Sequence, residues 1–206
     1  MPERTVNEDL LERYESGGVP VCRIYEPEEV FAVLGAGGDP GRDLILAALQ
    51  ERGIPWRRRK GGGGAVVLSP GQVVIALATR VGSPFRNREY AAAVNGWIAE
   101  TLARLGVGPI QSRGISDLAI RERKILGTSV YRRKLIFFYQ ASLLVSNDLS
   151  LFEALLAPPV RAPEYRGGRG HSDFCTTLQG EGFAVTTAEI VSELEKTAAS
   201  GIGGLR

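Results

Sequence analysis

Apolar residues recur at helical spacing along one stretch of the chain. Tyr90, Val94, Trp97, Ile98, Leu102 and Leu105 fall on one face, and Gly106 follows as a stop, so the spacing predicts a helix over 90–105. Other stretches carry weaker forms of the same signal. A short helix is expected over Asn7–Tyr14. Asp39 and Pro40 are an N-cap and first-turn residue for a helix with Leu44, Ile45, Ala48 and Leu49 as its stripe and Gly53 as its end. Leu149–Leu156 reads as a short helix. Thr186 and Glu189 form a capping box for a final helix through Ile190, Val191 and Leu194. Between the helices, β-branched and aromatic runs predict strands over Val19–Tyr25, Val30–Leu34, around Val66, and over Val73–Leu77, Asp117–Ile120, Lys124–Ser129 and Leu135–Leu144. The segment 157–170 reads as a long loop and Ser200–Arg206 as a soft tail. The mixture predicts an α+β protein, a mixed sheet packed with helices in one domain over 1–206.

Composition narrows this picture. With 206 residues, 44% of them hydrophobic, the chain can bury a full core. A net charge of +2 argues against a nucleic-acid-binding protein, and the clusters Arg57–Lys60, Arg121–Lys124 and Arg132–Lys134 lack the aromatic residues such binding uses. The two cysteines, Cys22 and Cys175, are too few for a disulfide framework, so a reduced, cytoplasmic setting is expected. No apolar run has the length of a membrane span, and the charged start carries no signal sequence.

The segment with the most chemistry is Trp56–Leu77. Three arginines and a lysine run into Gly61–Gly64, which run into strand-like residues broken by a Ser69-Pro70-Gly71-Gln72 turn. Glycines leave backbone N–H groups open to an anion, and arginine offers a planar fork to its oxygens. A P-loop is excluded because Lys60 precedes the glycines, and a dinucleotide loop because a strand follows them. A flexible basic hairpin and an anion-binding loop both remain open. Further on, Asp117 opens a strand, a basic turn follows, and Lys124 begins the next strand ahead of Gly127 and Thr128. A hairpin there would bring Asp117 and Lys124 to neighbouring places.

These residues resemble the lipoate protein ligase and octanoyltransferase family. Arg58-Arg59-Lys60-Gly61-Gly62-Gly63-Gly64-Ala65-Val66 is similar to its R-R-x-S-G-G-G-A-V. Ser116-Asp117 with Glu122 to Thr128 is similar to N-D…G-R-K-I-S-G-S, and Phe138 to Leu149 to H-H-G-T-L-L-L-x-x-D-L. Arg23 to Pro27 with Val33-Leu34-Gly35 is similar to the opening strand, proline turn and L-G. The resemblance covers residues 20–160 and implies the class II synthetase-like biotin/lipoate ligase fold, with a mainly antiparallel sheet. It implies activation of lipoate, or of octanoate, as acyl-AMP with ATP and Mg²⁺, then transfer to a lysine of a small acidic lipoyl carrier of the 2-oxoacid dehydrogenase or glycine-cleavage type. It further implies Lys124 as the catalytic cation and Arg59, Gly62, Gly63, Gly64, Ala65, Gln72, Asp117, Gly127 and Thr128 as substrate- and nucleotide-binding residues. Asp117 would be the magnesium candidate, and an acyl tail would lie beside Val66 and Leu77. A separate accessory subunit is a further implied partner; membrane and nucleic acid are not.

The chain departs from the family pattern at several points. Gly61 stands where the family has serine, Leu68-Ser69 where it has H-D or H-G, Gln72 where it has asparagine, and Tyr139-Gln140-Ala141 where it has H-H-G. The transferase branch uses a P-C-G cysteine nucleophile, and here the chain has Pro158-Pro159-Val160. Cys175, four residues beyond His171, is the alternative thiol. A noncatalytic binding module with the same fold is the remaining alternative.

Overall fold

The computed structural model describes residues 6–203 and 205, so the charged start at 1–5 and tail positions 204 and 206 lie outside the described residues. The strands in chain order are β1 (Val21–Tyr25), β2 (Phe31–Leu34), β3 (Trp56–Arg58), β4 (Val66–Leu68), β5 (Gln72–Arg80), β6 (Gln111–Arg113), β7 (Asp117–Ile120), β8 (Arg123–Arg133) and β9 (Ile136–Leu144). The helices are α1 (Glu8–Gly17), α2 (Pro40–Asp43), α3 (Leu46–Glu51), α4 (Asn87–Arg104), α5 (Ser150–Leu155), α6 (His171–Phe174) and α7 (Thr187–Gly203). Six strands form an antiparallel sheet in the order β1-β5-β9-β8-β7-β6. A smaller sheet, β3-β2-β4, pairs β2 with β3 in parallel and with β4 antiparallel. This is the expected α+β architecture with a mainly antiparallel sheet.

Alternation along β5 and β9 decides what each face of the large sheet meets. Val73, Ile75 and Leu77, with Phe137, Tyr139 and Leu143, pack under α4 and α7 through Val94, Ile98, Leu102, Ile190 and Leu194. Val74, Ala76, Ala78 and Phe138 point the other way, to α1 and the small sheet. Both faces are covered, so β5 is buried from Gln72 to Thr79 and reads in sequence as a nearly continuous apolar run. Gln140 and Ser142 on β9 and Gly127 and Ser129 on β8 share this second face with Val74. That small, polar strip is where the sheets part.

Several elements depart from expectation. Trp56–Arg58, expected within the basic loop, is a strand. The Arg57 guanidinium lies over the Phe31 ring at 4.1 Å and pairs with Glu29, so a charged edge strand has no apolar period to betray it. The helix expected from Asp39 to Gly53 breaks at Leu44, whose extended backbone bridges to Leu156 while Ile45 N donates to Leu155 O at 3.0 Å. β8 runs on to Arg133, and the polar edge strand β6 and the short α6 were not foreseen. Residues 200–203, expected to be soft, continue α7. The capping box is present: Thr186 N donates to Glu189 Oε2 and Glu189 N to Thr186 Oγ1. No described helix is long and apolar enough to cross a membrane.

Candidate functional site

A cavity of about 520 Å³ opens over the polar strip. Its floor is the inner face of β5, β9 and β8. The glycine loop and β4 form one wall, and residues 114–117 with 159–175 form the other.

Lys124 stands at one end. β7 and β8 bring it to Asp117 as the hairpin spacing implied: Lys124 Nζ lies 2.7 Å from Asp117 Oδ1. The other carboxylate oxygen, Oδ2, accepts from the Tyr165 hydroxyl at 2.8 Å. Burial, then the charge of Asp117, push the Tyr165 phenol well above its ordinary range, so it remains a donor at any physiological pH. The Lys124 backbone is held too, its carbonyl accepting from Thr176 N at 2.9 Å. Gly127 is needed beneath the side chain: a Cβ there would meet Lys124 Cε and Nζ at 2.8 Å. Glycine lets the ammonium lie flat on the sheet.

Arg59 lines the same cavity and is 6% exposed. Its Nη2 donates to Gly62 O at 2.9 Å and Gly64 O at 2.8 Å, and its Nε to Ser129 Oγ at 2.9 Å. The guanidinium therefore folds the glycine loop around itself. Ser129 Oγ donates in turn to Gly62 O at 2.9 Å. Arg59 has no salt bridge to a described acid, and burial alone lowers its pKa to about 10. A buried cation without a counter-charge beside a cavity favours an anionic guest. Gly61 answers to Ser129: a Cβ at 61 would fall 2.1 Å from the Ser129 hydroxyl. The serine of the family pattern cannot coexist with this placement of Ser129, which accounts for one departure.

Of the residues singled out by sequence, Arg59, Gly63, Gly64, Ala65, Asp117, Lys124, Gly127 and Thr128 all line the cavity. Gly62 turns its carbonyl to Arg59, and the Thr128 hydroxyl is held by Ser116 O at 3.1 Å. Gln72 does not reach the cavity; fully buried, it donates to Val67 O at 3.1 Å. Val66 lines the cavity, whereas Leu77 packs under α4 on the opposite face of the sheet. Magnesium at Asp117 fits poorly, because its oxygens are held by Lys124 and Tyr165. No three His, Cys, Asp or Glu side chains gather among the described residues.

Sequence reasoning missed Asn7, Ser129, Gln140 and Arg166. Arg166 is buried against Phe174, its guanidinium 5.0 Å from the ring centre, and faces the same cavity. It comes from the segment read as a plain loop, where its Arg-Gly-Gly-Arg repeat gave no periodic signal. His171 and Cys175 also line the cavity. Burial and then Arg166 lower the His171 pKa, which keeps the imidazole neutral, and burial pushes the Cys175 thiol up despite Lys124 and Arg166. A raised thiol is a poor nucleophile near neutral pH.

Comparison with known proteins identifies the family of the chain. Residues 4–199 match the lipoyl protein ligase A/B catalytic domain family. A protein of Aeropyrum pernix named for lipoate-protein ligase A is 29% identical over 162 residues, 77% of this chain and 59% of that relative. The chain thus spans under two thirds of that relative's length. In structure it is similar to a protein of an archaeal lipoylation system from Thermoplasma acidophilum, described as a bi-partite lipoate protein ligase and its E2 lipoyl domain, with TM-score 0.79 and 20% identity over 94% of this chain and 76% of that one. It is equally similar to a lipoate-protein ligase A bound with ATP, with TM-score 0.79 and 19% identity over 98% of this chain and 84% of that one. With a matching signature over nearly its whole length and the same fold, the chain belongs to the lipoyl protein ligase A/B catalytic domain family.

Proposed function

We propose that the protein activates lipoate, or a medium-chain acid like it, as an acyl-AMP and passes the acyl group to a lysine of a carrier domain. The observation that carries this reading is the pair of cations, Lys124 and Arg59, lining one cavity, with no salt-bridging carboxylate at Arg59 among the described residues. The first step brings a carboxylate to a triphosphate. An oxygen of the acid attacks the α-phosphorus, pyrophosphate leaves, and negative charge gathers between the two cations. Lys124, oriented by Asp117, would hold the carboxylate and then the bridging oxygen of the anhydride. Arg59 would hold phosphate oxygens while its carbonyl bonds keep Gly63 and Gly64 open. In the second step the carrier's amine attacks the acyl carbon, the carbon–oxygen bond breaks toward AMP, and the amine's proton passes to solvent. Magnesium, travelling with ATP, would supply further charge neutralisation at the phosphates.

As in the bi-partite Thermoplasma ligase, an accessory polypeptide is a partner in this reading; the carrier is an acidic lipoyl domain and the setting cytoplasmic. The assay combines protein, ATP, magnesium, lipoate and apo carrier, with and without accessory polypeptide, and weighs the carrier. Lipoylated mass is expected, and Lys124→Ala should lower the rate at least about a hundredfold. An unmodified carrier in every combination would sink the enzyme reading. The transferase reading draws on Cys175 lining the cavity. Acyl transfer without ATP that disappears in Cys175→Ser would replace the ligase reading.

A further inference from the structure

We propose that Gln140, with Asn7, reads the far end of the acyl substrate and selects an acid whose tail carries a hydrogen-bonding group over a bare alkyl acid of the same length. This rests on the acyl-acid reading above. Gln140 sits on β9 opposite Ser129 of β8, on the cavity face of the sheet. It is 7% exposed, and its Nε2 donates to Val6 O at 2.9 Å. A carbonyl can only accept, so this bond fixes which end of the amide faces Val6. Oε1 is consequently a buried acceptor with no hydrogen-bond partner among the described residues. Asn7, next along the chain from Val6, is 8% exposed, lines the same cavity, and holds Nδ2 as a buried donor with no hydrogen-bond partner among the described residues. The Tyr25 hydroxyl neighbours this amide without a bond of ordinary geometry. Buried polar groups are nearly always paired, so an unpaired donor and acceptor on one cavity point to a guest that pairs them.

The position along the sheet says which part of the guest. The Lys124 ammonium lies over Gly127, and the Ser129–Gln140 rung is two residues further along β8. Two strand steps are about 7 Å. An extended chain covers that in about six bonds, at roughly 1.2 Å per bond. With its carboxylate on Lys124, a medium-chain acid therefore brings its sixth carbon to Gln140 and Asn7, while Val33, Val66 and Val74 line the wall alongside. A plain alkyl tail leaves both polar groups desolvated and unpaired. A sulfur there accepts from Asn7, a thiol also donates to Gln140, and a ureido group does both.

The test is calorimetric binding of octanoate, lipoate, dihydrolipoate and biotin to the whole protein. Octanoate should bind at least about tenfold more weakly than the best of the others, and the order among those identifies the tail group. Gln140→Met, similar in length but apolar, should bring the gap below about threefold while keeping octanoate binding, which also shows that the variant folds. Asn7 has φ 59°, which a leucine resists, so the substitution is made at Gln140. Octanoate binding as tightly as the best acid, or a gap unchanged in Gln140→Met, would overturn the proposal. Failure of all four acids to bind would instead remove the acyl-acid reading on which it rests. If Gln140→Met does not fold, the ranking by the unaltered protein decides.

Discussion

At the scale of single residues, the site is an arrangement in which small positions make room for large ones. Gly61 exists for Ser129, and Ser129 exists for Arg59. Gly61→Ala places a methyl on the Ser129 hydroxyl, with Val130 backbone behind it at 3.3 Å, so it should destabilise by about 1–3 kcal/mol, the range for overpacking. Ser129→Ala removes the obstructing hydroxyl as well as the Arg59 bond. The double variant should consequently be more stable than the sum of the two single losses predicts, a coupling that urea unfolding resolves. An unchanged midpoint for Gly61→Ala would show that the loop yields, and that Arg59 is not locked by it.

At the scale of elements, the segment from Cys175 to Glu181 clamps the hairpin that carries Lys124. Thr176 N binds the Lys124 carbonyl, and the Glu181 carboxylate, with its side chain only 2% exposed, accepts from Arg123 and lies 3.5 Å from Arg121. Glu181→Ala should therefore lower stability by about 2 kcal/mol, read as a fall in the urea midpoint, and should loosen Lys124 although residue 181 does not line the cavity. A midpoint within error of the parent would show that the clamp is carried by Thr176 alone. This element also marks the limit of what the sequence discloses. The β7–β8 hairpin and the meeting of Asp117 and Lys124 were legible, because alternation and a short basic turn determine both. So were α4 and the capping box of α7. The clamp, the strand β3 and the arrival of Arg166 were not: the clamp joins residues more than fifty positions apart, and the charged strand β3 and the Arg166 segment have no apolar period of their own. Gln72 shows the converse: its motif position suggested the site, and the packing of two sheets turned it inward.

At the scale of the whole molecule, the cavity lies in a structure that buries several weak acids. Cys22, Cys175, Tyr25, Tyr139 and Tyr165 are all held protonated above their ordinary ranges, in each case chiefly by burial, and the Cys22 thiol is pushed from 9.0 to about 11. For such groups the unfolded chain releases its protons first. Their contribution is complete below the unfolded value and disappears as pH rises toward the folded one. Arg59 has the opposite sign, since burial lowers its folded pKa to about 10 and the unfolded chain keeps that proton to higher pH. Its relief therefore begins only near pH 10, which leaves the interval from pH 9 to 10 to the thiols and phenols. From pH 8 to pH 10 the loss from Cys22 alone is about 1.3 kcal/mol, or roughly 4 °C in Tm for a chain of this length. Melting curves at pH 8, 9 and 10 should show that fall, and Cys22→Ala should make it shallower. A Tm that stays level from pH 8 to 10 would mean that these groups meet solvent in the folded protein, and that the floor on which the cavity stands is less tightly packed than its β5 and β9 faces require.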